Sequence, residues 1–238
     1  MLNPTTMVFL IDVDNTLLDN DRFVADLSDR LDRAFGQTQR ERYWQIYEDL
    51  RSTLGYADYL GTLQRFRAGA DSAQALFSMS AFLLDYPFVD RLYPRALAAL
   101  NHLAKLGTTV ILSDGDIVFQ PRKIERSGLA AAVAGRVQIN VHKERMLVTV
   151  QHRFPARHYV MIDDKLKLLI AMKRILGDLL TTVWVRQGHY ALAAEPALGA
   201  ASADLVIDDI GALCRLTLAD FRVAVASPQP LHAASALG

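Results

Sequence analysis

Short apolar runs that end in a carboxylate or hydroxyl, separated by stretches of helical periodicity, constrain this chain more than any other feature. The first run is Met7-Val8-Phe9-Leu10-Ile11, followed at once by Asp12-Val13-Asp14-Asn15-Thr16. So short an uninterrupted apolar run, with β-branched members, reads as a strand buried on both faces, the condition of a parallel sheet covered by helices. Its polar successors then stand at the carboxyl end of the strand, where open α/β sheets place their ligands.

The pattern recurs. A helix at 94–106 stopped by Gly107, a strand at 108–112, a helix at 121–127 ending at Gly128, strands at 137–139, 158–162, 181–185 and 205–207, and a helix at 165–176 give an alternating order. This order predicts an α/β fold, a doubly wound parallel sheet. Between residues 19 and 90 the alternation stops. Apolar positions there fall three and four apart, as in Phe23, Leu27 and Leu31, or Tyr43, Ile46, Tyr47 and Leu50, which reads as a helical insert. The expected organisation is a core at 1–18 plus 91–222, a small α-helical cap at 19–90, and a loosely ordered tail at 223–238.

Composition narrows the classes further. A chain of 238 residues with 51% hydrophobic and 22% charged residues can bury a sizeable core. Its formal net charge is zero, and without blocks of like charge electrostatics gives no argument for nucleic acid or an anionic membrane. No stretch approaches the roughly 18 apolar residues of a membrane span. The single cysteine, Cys214, excludes an intramolecular disulfide and a multi-cysteine metal site; it is expected to be a buried structural thiol in a cytoplasmic protein.

Polar groups collect at the ends of several predicted strands: Asp12 and Asp14, Ser113 and Asp114, Asp163 and Asp164, with Lys143 just after the strand near Ile139. If these strands are parallel neighbours, the groups converge on one crevice. Carboxylates so close repel one another unless a cation intervenes, and a hard divalent ion such as Mg²⁺, which shares its shell with waters and phosphate, suits oxygen ligands. Each element alone also has a plainer reading. Asp-x-Asp-x-Thr can be a turn with a helix cap, Ser113-Asp114-Gly115-Asp116 a simple turn, and Asp163-Asp164 a cap for the helix that follows. Lys123, Lys165 and Lys167 compete with Lys143, and Asp208-Asp209 also follows an apolar run but is assigned to capping the last helix.

In this order the residues resemble the haloacid dehalogenase-like hydrolases over nearly the whole chain. Asp12, Asp14 and Thr16 match the family's first motif, Ser113 its second, Lys143 its third and Asp163-Asp164 its fourth. The resemblance implies a Rossmann-like core, Mg²⁺, and a phosphomonoester hydrolase acting on a small phosphorylated metabolite. Asp12 is then the nucleophile that forms an aspartyl-phosphate, and Asp14 the general acid and base. Thr16, Ser113, Asp114 and Lys143 form the phosphate side of the site, and Asp12, the Asp14 carbonyl, Asp163 and Asp164 the metal side. An aspartate at position 14 favours phosphate esters, because relatives that cleave carbon–halogen bonds typically lack it. A phosphomutase and a non-catalytic binding protein on the same fold are the alternatives.

Two departures from the family pattern stand out, Asp114 after the second-motif serine and Lys165 to Leu168 where a further acidic residue is common. In the insert, Arg22, Arg65 and Arg67 are candidates for an anionic substrate or for a solvated surface. Tyr43, Trp44, Tyr47, Tyr56 and Tyr59 are candidates for stacking on a substrate or for core packing.

Overall fold

The computed structural model describes residues 6–198 and 203–221. The elements run β1 (Val8–Ile11), α1 (Asn20–Phe35), α2 (Gln37–Leu54), α3 (Tyr59–Phe66), α4 (Ala73–Asp85), α5 (Ala96–Leu106), β2 (Thr108–Asp114), α6 (Phe119–Arg126), α7 (Leu129–Ala132) and β3 (Val137–Asn140). They continue with α8 (Leu147–Arg153), β4 (Tyr159–Asp163), α9 (Leu166–Leu176), β5 (Leu180–Val185), α10 (Gly188–Leu198), β6 (Leu205–Ile207) and α11 (Leu218–Phe221). The strands form one sheet, ordered β3-β2-β1-β4-β5-β6, with every neighbouring pair parallel. β1 is therefore central, and the order reverses between β1 and β4, the point at which such sheets open a crevice.

Alternation along the strands builds two cores. Phe9 and Ile11 of β1, Ile111, Val160, Ile162 and Val183 face α5, the segment around Leu213, and Phe221. Val8 and Leu10, with Val110, Leu112, Met161, Leu180 and Trp184, face α8 and α9 through Leu147, Val150, Leu166, Leu169 and Met172. Helices α1 to α4 follow the expected periodicity, with Phe23, Leu27 and Leu31 as the buried stripe of α1. Asp19, Asp58 and Ser72 cap α1, α3 and α4 by accepting from Arg22, Gly61 and Ala75 backbone N–H groups. The apolar side of this helical region is continuous with the first of the two sheet cores.

Several boundaries move. Pro94 precedes a left-handed Arg95 (φ 67°), so the helix begins at Ala96. The helix expected from Pro121 starts at Phe119, because the Asp116 carboxylate accepts from the Val118 and Phe119 N–H groups at 2.9 and 2.6 Å. Asp209 occupies the cap position of the short 3₁₀ turn Ile210–Arg215 without making a side-chain capping bond, and Asp208 pairs with Arg186 at 3.2 Å. Cys214 is half-buried against the core rather than enclosed. The expected tail, 223–238, lies outside the described residues. No helix among the described residues is long and apolar enough to cross a membrane.

Candidate active site

β2, β1 and β4 are adjacent and in parallel register, so Ser113 and Asp114, Asp12, and Asp163 come to one edge of the sheet. Lys143 arrives from the turn after β3. Its backbone N–H donates to Asp114 Oδ1 at 2.8 Å, which directs the side chain back over the strand ends. The buried ammonium then lies 2.5 Å from Asp12 Oδ1 and 2.6 Å from Asp163 Oδ2, with the Leu112 carbonyl at 3.3 Å. Asp114 thus shapes the lysine turn, which answers why a carboxylate is tolerated after Ser113.

Asp12, Asp163 and Asp164 are buried and each offers an oxygen within 4.8 Å of the others. One Asp163 oxygen accepts from the Lys165 N–H at 2.8 Å, and the other is ion-paired with Lys143 at 2.6 Å without a hydrogen bond. Asp12 Oδ2 and both Asp164 oxygens meet no donor. Burial raises the Asp12 carboxyl to about 6, despite Lys143, and burial with repulsion from Asp163 and Asp12 raises Asp164 to about 9. Burial opposes the charge on Lys143, but Asp12, Asp163 and Asp114 outweigh it and keep the ammonium protonated. Unpaired buried carboxylate oxygens of this kind call for a cation, and an all-oxygen donor set is the hard-ion type that Mg²⁺ takes. The cluster fits such an ion. Asp164 is held for it from behind: its N–H donates to buried Thr16 Oγ1 at 3.1 Å, and its carbonyl accepts from Trp184 Nε1 at 2.9 Å.

The Asp14 carboxylate stands apart from the cluster. Lys123 Nζ donates to one oxygen at 2.8 Å and Gln120 Nε2 to the other at 3.2 Å, while the same Gln120 amide reaches Ser113 Oγ at 3.0 Å. Asn15 follows in the left-handed region (φ 61°), with its Oδ1 accepting from the Asn20 and Asp21 N–H groups, so the loop is fastened to the start of α1. Gly188 (φ 70°) passes so close that an added Cβ would sit 2.4 Å from the Asn15 Cβ.

Above these groups lies a cavity of about 310 Å³ between the helical region and the sheet edge, reached by Asp14, Asp114, Lys165, Trp44, Arg51 and Tyr190. Of the aromatic candidates, Trp44, Tyr47, Tyr56 and Tyr59 line it. Tyr43 is core, its hydroxyl donating to the Tyr59 carbonyl at 3.1 Å. Arg22, Arg65 and Arg67 are exposed and do not line it. Arg51 does, bridging α2 to α10 by donating to the Tyr190 hydroxyl. Arg51 lies four residues after Tyr47 on the same helical face, a spacing that signals it in the sequence. His189 and Tyr190 reach the cavity from the first turn of α10, whereas the strand-end rule applied to β5 points to Arg186 and Gln187, which do not line it.

A buried carboxylate cluster, a fixed lysine and a separate carboxylate at the carboxyl edge of a doubly wound sheet define the haloacid dehalogenase-like hydrolases. The model of that family matches residues 6–175, and the chain belongs to it and is a hydrolase. A haloacid dehalogenase-like hydrolase of Burkholderia xenovorans is 54% identical, with 93% of this chain and 100% of that chain covered and a TM-score of 0.84. L-2-haloacid dehalogenase of Xanthobacter autotrophicus (20% identity, 89% and 98% covered, TM-score 0.55) shares the fold. So does a magnesium-bound HAD-hydrolase of Bacillus subtilis (18%, 89% and 99%, 0.55). No curated protein matches the sequence.

Proposed function

We propose that the chain is a Mg²⁺-dependent phosphomonoester hydrolase acting on a small phosphorylated metabolite of the cytosol. The observation that carries this reading is the pairing of two carboxylates in different settings. Asp12 is buried in a cluster with donor-free oxygens, whereas Asp14, two residues on, faces the cavity with its side chain 26% exposed. A carboxylate in the second place has no task in halide displacement, since a halide leaves without a proton. An alkoxide does not.

Asp12 attacks phosphorus, and the bond to the ester oxygen breaks as Asp14 gives that oxygen a proton. Asp14 then takes a proton from water as it attacks the aspartyl-phosphate, freeing phosphate and restoring Asp12. Ser113 donates to a phosphoryl oxygen, and Lys143 offsets charge shared between Asp12 and the phosphate. Asp12, the Asp14 carbonyl and Asp164 would hold Mg²⁺, with Asp163 anchoring Lys143. When bound, the ion supplies positive charge that lets a carboxylate approach a phosphate dianion. The helical region serves as the cap that closes the cavity and excludes water.

The test is hydrolysis of p-nitrophenyl phosphate and of a library of phosphorylated metabolites, with Mg²⁺ and with EDTA. Activity should require Mg²⁺ and vanish in Asp12→Asn. Metal-independent turnover, survival of activity in that variant, or turnover of 2-haloacids instead of phosphate esters would overturn the reading. Isomerisation of a sugar phosphate with little phosphate release would point to a mutase.

A further inference from the structure

We propose that Lys123 is the positioning residue for Asp14, fixing the acid–base carboxylate at the rim of the cavity; this rests on the phosphatase reading above. Lys123 lies on α6 one turn after Gln120, so both side chains project to the same place. It is fully buried, and its Nζ donates to Asp14 Oδ1 at 2.8 Å and Asn20 Oδ1 at 3.0 Å. Four aromatic rings surround the ammonium, with centroids 5.7 Å (Phe23), 5.9 Å (Tyr59), 5.7 Å (Phe88) and 5.6 Å (Phe119) away. Asp14 is the carboxylate that pairs with it among the described residues.

A core position walled by rings is filled more stably by an apolar side chain than by an ammonium, so stability alone does not explain a lysine here. Its partner does. Asp14 sits in a short loop, and among the described residues Lys123 and Gln120 are the side chains that hydrogen-bond its carboxylate and so hold it in one orientation. Phe23, Tyr59 and Phe88 come from the helical region at 19–90, and Phe119 opens the core helix α6. The grip on Asp14 therefore forms where the helical region meets the core. During ester cleavage Asp14 gives its proton to the departing alcohol oxygen as the P–O bond breaks, and the resulting carboxylate is left facing Lys123.

The leaving group separates a positioning role from a merely structural one. Nitrophenolate departs without a proton, whereas the alkoxide of glycerol phosphate needs one. With Mg²⁺ present, Lys123→Met should lower kcat/KM, which reports ester cleavage and not the shared hydrolysis of the aspartyl-phosphate, by about 10²-fold on glycerol phosphate, the scale of general acid catalysis, while kcat/KM on p-nitrophenyl phosphate falls less than about tenfold. In the Asp14→Asn background the same change should add nothing on the alkyl ester, and Lys123→Arg should restore part of the loss. Equal losses on both esters, or additive losses with Asp14→Asn, would overturn the proposal. If Lys123→Met does not fold, Asn20→Ala and Phe119→Leu loosen the grip without stranding a charge. Both should lose alkyl-ester turnover selectively, and an even loss would again refute it. Wild-type protein inactive on p-nitrophenyl phosphate would instead bring down the phosphatase reading itself.

Discussion

Replacing Lys143 with methionine keeps most of the side-chain volume and removes the charge that Asp12 and Asp163 share. Both carboxylates are almost wholly buried, at 3% and 0% exposure, and the ammonium lies 2.5 and 2.6 Å from them. Removing one partner of a buried pair costs about 3–5 kcal/mol, because the survivor is stranded in a medium that solvates it poorly. In a chain of this size each kcal/mol lowers Tm by about 2–4 °C, so the variant should melt roughly 6–20 °C below wild type in EDTA. Thermal unfolding followed by circular dichroism measures this. Adding Mg²⁺ should recover part of the loss, and should stabilise the variant more than the wild type, since a cation at Asp12 and Asp164 offsets the same negative charge. Lys143→Met with Asp163→Asn should also be more stable than Lys143→Met alone. A variant that melts within about 2 °C of wild type in EDTA would refute the view that this lysine neutralises the cluster.

Other consequences follow from the same geometry. Thr16→Val leaves the buried Asp164 N–H without an acceptor, at a cost of about 1–3 kcal/mol, and should weaken Mg²⁺ binding measured by calorimetry. The carboxyls of Asp12 and Asp164 titrate at about 6 and about 9, above the ordinary carboxylate range, so the metal-free fold holds protons that an ion must displace. Mg²⁺ affinity should therefore climb between about pH 5 and pH 9 with proton release. Stability in EDTA should fall over the same rise, because the folded chain binds more protons than the unfolded one above the ordinary aspartate value near 4. Affinity that ignores pH would contradict both statements. Arg51→Ala should raise KM for the best metabolite several-fold with little change in kcat, as expected for a contact made equally in ground and transition states.

The sheet was legible because buried strands announce themselves: 7–11, 110–112, 159–162 and 183–185 are apolar and buried on both faces, and the first three end where a polar residue meets the crevice. The helical insert was legible from the three-and-four spacing around Phe23 and Tyr43. What sequence concealed were partnerships between distant elements. Lys123 reads in sequence only as a competitor of Lys143 for the active-site lysine, and its pairing with Asp14 emerges only when rings from residues 23, 59, 88 and 119 close around it. Gln120 is equally unremarkable until Asp14 and Ser113 flank it. The helix start at Phe119 was missed because Pro121 is an obvious opening residue, while the Asp116 carboxylate that actually caps it sat inside a stretch read as a turn. Asp208-Asp209 shows the converse: a second acidic pair after an apolar run, but behind an outer strand two places from β4, far from the carboxylates that converge on Lys143.

Chemistry at Asp12 is the centre of this account. The direct measurement is mass spectrometry of the protein quenched during turnover of a phosphate ester with Mg²⁺. The account predicts a phosphoryl group on Asp12 that fails to form in EDTA and in Asp12→Asn, and that accumulates when Asp14→Asn slows its hydrolysis. Steady release of phosphate with Asp12 unmodified in all these conditions would contradict it.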